Sequence, residues 1–276
     1  MKMFFALIFL VFMQWPIVLS AGAYLGELTW PEAQEQFESS SLVILPFAAG
    51  AKEHGLHLPM NADRKVMEYL VEKAVSEMPV LAAPAILHGW FPAFREYPGT
   101  EVAEPEVFQR YVFLVAESLV RSGAKRIVFL NMGIARATGL PLSIAAREIR
   151  VRHGVPTLVV NWDDLETAEV ADLQEQKVGG HADEIETSIN LALQGQLVHM
   201  DLAVRDDGRP PKAYPGYRPG LFSRETTDPA YSETGLRGDP TLASAEKGWK
   251  ILEIMNRNWI AALAGFSREP LERKTD

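Results

Sequence analysis

The chain has 276 residues, 47% of them hydrophobic and 23% charged, which is the composition of a globular protein with a sizeable core. The formal net charge is −9 and no block of Lys and Arg stands out, so we expect no nucleic-acid partner. The lack of cysteine excludes both disulfides and a cysteine-linked lipid anchor.

The first residues predict a secretory signal peptide. Lys2 gives a positive start, and the apolar segment FFALIFLVFM, residues 4–13, is too short to span a bilayer alone. Small residues follow, so that cleavage after Ser20 or after Ala23 fits the pattern. The alternative is an uncleaved membrane anchor, because the apolar character continues for several residues. We predict a signal peptide over 1–23, export to the periplasm or the medium, and no membrane contact after cleavage.

Beyond this segment, short apolar stretches alternate with amphipathic ones. In chain order the pattern predicts a strand over 42–47, a helix over 62–78, a strand over 80–87, a helix over 104–123, a strand over 126–131, a helix over 141–154, a strand over 157–162 and helices over 183–193 and 244–263. Strands that alternate with helices indicate an α/β fold, with a mainly parallel sheet covered on both faces.

The segment 205–240 differs from the rest, since it is rich in Pro and Gly and has no periodicity. We predict a long loop region here, and long loops in compact domains are frequently functional. Because no internal repeat is visible, residues 24–276 are predicted to form a single domain.

The stretch GAKEHGLHLPMNAD, residues 50–63, concentrates groups that bind divalent metals. Glu53, His54 and Asp63 are carboxylate and imidazole ligands at close spacing. Lys52 stands among them, and its ammonium repels a metal ion. In an extended chain residues 52 and 54 point one way and residue 53 the other, so Glu53 needs a bulge or a turn to share a metal with His54.

Five stretches in the same order and at similar intervals resemble the creatininase (creatinine amidohydrolase) family. They are LPFAAGAKEHGLHLPMNAD, YPGT (97–100), RIVFLNMG (126–133), GGHADEIETSINLAL (179–193) and GDPTLASAEKG (238–248). The resemblance implies a creatininase-like three-layer α/β/α sandwich, assembled as a homo-oligomer and typically a hexamer. It also implies hydrolysis of cyclic or linear amide C–N bonds by a pair of divalent ions, zinc or manganese.

The metal ligands of that family carry over only in part. The resemblance places His54 and Asp63 on ligand positions, Asp63 on the one that bridges both ions. The first glutamate of the family motif falls on Lys52, its later histidine on Gly133 and a further ligand position on Ala135. Two protein ligands are fewer than the three or four that zinc normally takes, so we predict one divalent ion or none, with Glu53 as a doubtful third ligand.

The remaining site residues are predicted from the motifs that stay intact. Lys52 is interpreted as an internal cation paired with Asp63 and as a catalytic group, the alternative being a solvated surface lysine. His181 and Glu186 are predicted to act as acid and base, the alternative being a helix-capping histidine and a first-turn acid. The predicted substrate contacts are Thr100, Trp162 and Glu184, and an apolar wall is predicted from Trp90, Phe91, Phe94 and Tyr97.

The resemblance and the altered set of metal ligands are compatible with three functions. The first is hydrolysis of amide-type C–N bonds by an altered, metal-poor site that takes a small amide-like ligand. The second is a non-catalytic protein that binds a small ligand or a protein partner through the same pocket. The third is a purely structural role as a component of an oligomer. All three are kept because function follows the site and not the fold.

Overall fold

The computed structural model describes residues 22–40, 42–133, 137–207 and 232–271. The predicted signal peptide up to residue 21, Ala135 and most of the predicted loop region lie outside these residues. Within them the strands are β1 (Ala23–Tyr24), β2 (Val43–Phe47), β3 (Leu81–Ala82), β4 (Ile127–Asn131) and β5 (Thr157–Asn161). The helices are α1 (Trp30–Ser39), α2 (Ala62–Glu77), α3 (Pro105–Arg121), α4 (Gly139–His153), α5 (Trp162–Leu165), α6 (Ala168–Ala171), α7 (Glu184–Gln194) and α8 (Ala245–Arg268).

The strands form one parallel sheet in the order β1-β3-β2-β4-β5. Alternate side chains of its central strands enter two separate cores: Ile44 and Val128 on one face, Leu45 and Phe129 on the other. The first core includes side chains of α2, α7 and α8, and the second includes side chains of α1, α3 and α4. Helices therefore cover both faces, which confirms the predicted three-layer α/β fold.

The strand predicted over 80–87 is much shorter than expected. Regular pairing covers only Leu81–Ala82, and Ile86 returns to the sheet through an isolated bridge with Phe47. Pro84 lies between them and has no N–H to donate to a neighbouring strand.

The order of the strands indicates where this sheet would bind a ligand. In chain order the sheet grows from β2 to β3 on one side and then from β2 to β4 on the other, so the direction reverses between β2 and β4. Open α/β sheets bind ligands in the crevice at the carboxyl ends of the strands at such a reversal.

No helix in the described ranges combines the length and apolarity needed to cross a membrane.

Candidate functional site

Most of the predicted site residues meet beyond the carboxyl end of β2. The segment after β2 carries Lys52, Glu53 and His54, and Asp63 lies in the first turn of α2. His181 comes from the segment that precedes α7, and its ring lies 5.1 Å from the ring of His54. The site therefore joins residues about 130 positions apart in the chain.

Lys52 is buried and paired, which excludes the surface alternative. Its Nζ lies 2.8 Å from Asp63 Oδ2, and its side chain is only 3% exposed. The ammonium also faces two aromatic rings, at 5.2 Å from the ring centre of Phe94 and 5.9 Å from that of Phe91. An aromatic face attracts a cation at such distances, so Lys52 is held from two sides.

His54 completes the surroundings of the Asp63 carboxylate. Its Nε2 lies 2.7 Å from Asp63 Oδ1, and its Nδ1 lies 2.9 Å from the carbonyl oxygen of Lys52. Burial raises the pKa of the Asp63 carboxyl, but the charges of Lys52 and His54 outweigh it and hold that pKa well below its usual range. Asp63 is therefore a carboxylate held between the Lys52 ammonium and the His54 ring.

His181 lies between two carboxylates. Its Nε2 is 3.1 Å from Glu53 Oε2 and 3.0 Å from the Glu53 carbonyl oxygen, and its Nδ1 is 3.6 Å from Glu186 Oε2. Its ring also packs on Phe94 at 4.2 Å. An imidazole with a carboxylate on each side is an arrangement that can move protons.

Glu186 has the environment of an acid-base group. Its side chain is 20% exposed, and the backbone N–H of Ala182 donates to its Oε2 at 2.6 Å. Ala182 has a φ of 48°, a left-handed conformation that costs energy for alanine. Burial raises the pKa of Glu186 to about 7, against the charges of His181 and Lys52, so this carboxyl titrates near neutrality.

Glu53 is held by neighbours through both its backbone and its carboxylate. Its backbone N–H donates to Thr100 Oγ1 at 3.0 Å, and its Oε1 accepts from the N–H of Gly55. The α-carbon of Gly235 packs directly on this carboxylate, so that a side chain there would overlap it. Thr100, predicted as a substrate contact, thus holds the backbone of Glu53 in this structure.

The other two predicted substrate contacts have contacts of a structural kind. Glu184 is fully buried, accepts the N–H groups of Glu175 and Gln176 at 2.9 and 2.7 Å, and forms an ion pair with Lys247. These internal partners favour a structural role for Glu184, and its contact with a substrate stays a prediction. Trp162 donates from Nε1 to Glu166 Oε1 at 2.6 Å and packs against the core beside α8, which favours a core role for it.

His57 connects this loop to α7. Its Nε2 lies 2.7 Å from Thr187 Oγ1. Burial lowers the pKa of His57 to about 4, helped by the charge of His54. The ring is therefore neutral at physiological pH and joins the segment after β2 to the helix after His181.

The donor atoms do not fit a pair of divalent ions. Both oxygens of Asp63 and both ring nitrogens of His54 already face partners. A Cβ added at Gly133 would lie 3.0 Å from Phe91 Cε1, and Phe91 is buried. In the part of the chain that the structure describes, no three His, Cys, Asp or Glu side chains are arranged to hold a metal ion.

Sequence reasoning missed how Glu53 and the aromatic residues are used. The turn after residue 52 directs Glu53 to His181, 128 residues away, and no local pattern signals that pairing. The contact of Gly235 with Glu53 was also missed. Phe91 and Phe94 were expected as a pocket wall, but the specific contact with the Lys52 ammonium follows only from the fold.

The fold and the site define a three-layer α/β protein with buried ionisable groups at the carboxyl edge of a parallel sheet. The family model of creatininase, creatinine amidohydrolase, matches residues 26–263. The chain therefore belongs to the creatininase family, which confirms the resemblance.

Three relatives show how far the similarity extends. The chain is 26% identical to the creatinine amidohydrolase of Pseudomonas putida, over 86% of this chain and 94% of that protein. It is 27% identical to the 3-dehydro-scyllo-inosose hydrolase of Thermotoga maritima, over 85% of this chain and 80% of that protein. The solved structure named "Creatininase Mn" superposes with a TM-score of 0.73 at 25% identity, covering 90% of this chain and 100% of that one.

Proposed function

We propose that this chain is an exported hydrolase of amide-type C–N bonds in which protein side chains move the protons. The observation that carries the proposal is the position of His181 between Glu53 and Glu186, with Phe94 in contact with both the His181 ring and the Lys52 ammonium. Family membership supports the hydrolase class. The identity of the amide stays open, because two relatives of nearly equal identity are named for different substrates.

Amide hydrolysis requires a base for the attacking water, a positive charge near the oxyanion and an acid for the leaving nitrogen. Glu186 as carboxylate accepts a proton from water, whose oxygen adds to the carbonyl carbon. The same carboxyl then gives the proton to the nitrogen as the C–N bond breaks, and a pKa of about 7 suits both steps. His181 orients this carboxyl, and Lys52 supplies positive charge beneath it.

A second candidate is binding of an amide-like ligand without turnover. It is favoured by the burial of His181 and Lys52, which are 4% and 3% exposed, and by the full engagement of Asp63. Export and assembly into a homo-oligomer are part of the proposal through the signal-like segment and the family resemblance. Size-exclusion chromatography with mass detection tests the assembly.

The test is turnover of a panel of cyclic and linear amides, with creatinine included, by the mature protein with and without chelator. We expect turnover that survives the chelator and falls about 10²–10⁴-fold in Glu186→Gln, the range of a lost acid-base group. Glu253→Gln, at an exposed position of α8, is the matched control and keeps full activity.

The competing outcomes are distinct. Turnover that appears only with added metal, or that Glu186→Gln leaves unchanged, contradicts the proposal. Absence of turnover combined with a thermal shift on ligand addition supports the binding candidate, because a ligand specific to the folded state raises its melting temperature.

A further inference from the structure

We propose that the Lys52 ammonium is a permanent internal cation that takes the place of a metal ion, with Asp63 as its counter-ion and Phe91 and Phe94 as its cover. This goes beyond the proposed function, since it holds whether the site hydrolyses or only binds its ligand. It accounts for the disagreement between a family with manganese and zinc structures and the donor set found here.

The buried carboxylate of Asp63 requires a cation close to it. This carboxylate is 4% exposed, and a buried carboxylate without a cation is strongly unfavourable. Lys52 Nζ, at 2.8 Å, provides that cation. Because the ammonium is covalently attached to the chain, it cannot dissociate or be removed by a chelator.

Two aromatic rings cover the Lys52 ammonium. Phe94 and Phe91 lie 5.2 and 5.9 Å from Lys52 Nζ, where their ring faces attract the cation. Both rings are buried, at 3% and 1% exposure. Their placement compensates the ammonium for part of its lost hydration without offering any metal ligand.

The Phe91 ring links position 52 to position 133. The Phe91 ring that faces Lys52 also fills the space in front of Gly133, where an added Cβ would lie 3.0 Å from Phe91 Cε1. A side chain at residue 133 would crowd this ring, which would have to shift to admit it. The lysine, the ring and the glycine therefore form one consistent arrangement that disfavours a metal ligand at residue 133.

The experiment measures metal content and thermal unfolding, so that its outcome is separate from turnover. In wild type we expect much less than one tightly bound divalent ion per chain and no change of melting temperature with chelator. Lys52→Met should lower the melting temperature by roughly 10 °C, because it leaves a buried carboxylate unpaired. Lys52→Met combined with Asp63→Asn should recover a clear part of that loss.

Lys250→Met is the matched control, because Lys250 forms an exposed pair with Glu246 on α8, and it should melt like wild type. The proposal is overturned if Lys52→Met also melts like wild type, if Asp63→Asn brings no recovery, or if dialysed wild type holds a stoichiometric metal ion. Where Lys52→Met fails to fold, the double variant and the wild-type metal analysis still decide.

Discussion

The protonation of Glu186 is coupled to folding. The ordinary pKa of its carboxyl is 4.5, and burial raises it to about 7 in the folded protein. Between these values the folded state binds more protons than the unfolded state. The free energy of unfolding therefore falls as pH rises through this window and stays reduced above it.

We predict that Glu186→Gln removes this loss. Glutamine stays neutral and its carbonyl oxygen can accept the N–H of Ala182, so the variant should exceed wild type in stability at pH 8 by roughly 1–3 kcal/mol. At pH 5 the two proteins should be similar. Chemical unfolding at both pH values measures the difference, and Glu253→Gln at an exposed position controls for removal of a carboxylate. Equal stability at pH 8 would show that Glu186 is ionised there without cost.

The Phe91 ring limits the space in which a metal site could be rebuilt. Lys52→Glu, Gly133→His and Ala135→Glu restore the ligand types that the family resemblance implies. A histidine at position 133 meets the Phe91 ring, since even its Cβ would lie 3.0 Å from Phe91 Cε1. We predict that zinc leaves the melting temperature of this triple variant unchanged.

Adding Phe91→Ala should open the space, so that zinc raises the melting temperature by an amount that grows with its free concentration. Differential scanning fluorimetry over a zinc series compares the triple and quadruple variants, with wild type as control. A triple variant that responds to zinc as strongly as the quadruple one would show that the ring moves aside freely.

At the scale of elements, the segment that contains Gly235 covers the site. Arg237 pairs with His181 through backbone hydrogen bonds, and the Tyr97 hydroxyl donates to the Ser232 carbonyl oxygen at 2.8 Å. Gly235 has a φ of +69° and contacts the Glu53 carboxylate. This carboxylate is fixed by His181, so it cannot swing away from an added methyl group.

We predict that Gly235→Ala lowers the free energy of unfolding by about 1–2 kcal/mol from the left-handed backbone alone, and by more from the overlap with Glu53. It should also weaken turnover or ligand binding, because Glu53 positions His181. Gly265→Ala is the matched control in α8, where a Cβ would meet no atom within 4 Å, and it should be neutral or slightly stabilising. Denaturant unfolding of both variants tests this, and a neutral Gly235→Ala contradicts the close contact.

The elements that the sequence predicted well have strong apolar periodicity. The helix predicted over 104–123 is observed as Pro105–Arg121, and the strand predicted over 126–131 as Ile127–Asn131. Helix α1 was missed because Phe37 is its only buried residue, so no apolar stripe marks it. Its start did carry a signal, the capping box of Thr29 and Glu32.

The site was less predictable because its partners are distant in the chain. The Lys52–Asp63 pair follows from local spacing and is present in the structure. The Glu53–His181 contact depends on how the loop after β2 meets the segment before α7, and the cover of Phe91 depends on how that loop meets the segment after β3. No local pattern encodes either contact. The catalytic roles of His181, Glu186 and Lys52 stay predictions.

At the scale of the whole molecule, the packing of Gly22 and Ala23 helps to choose between the two predicted cleavage sites. The N–H of Gly22 donates to the Val75 carbonyl oxygen at 2.7 Å, and the N–H of Ala23 donates to that of Val80 at 2.9 Å. Ala23 also pairs with Leu81 in the sheet. These contacts favour the first of the two predicted cleavage sites, because cleavage after Ala23 would remove both hydrogen bonds and half of β1.

We therefore predict a mature chain that begins at Ala21. A chain that begins at Tyr24 should be less stable by about 2 kcal/mol, since it lacks two hydrogen bonds worth about 1 kcal/mol each, and it should melt roughly 4–8 °C lower. Intact mass of the protein exported by its native host gives the first residue, and thermal unfolding of the two chains gives the cost. A native mass that begins at Tyr24 would mean that β1 is dispensable, and a full-length membrane-bound chain would mean that the apolar segment is an anchor.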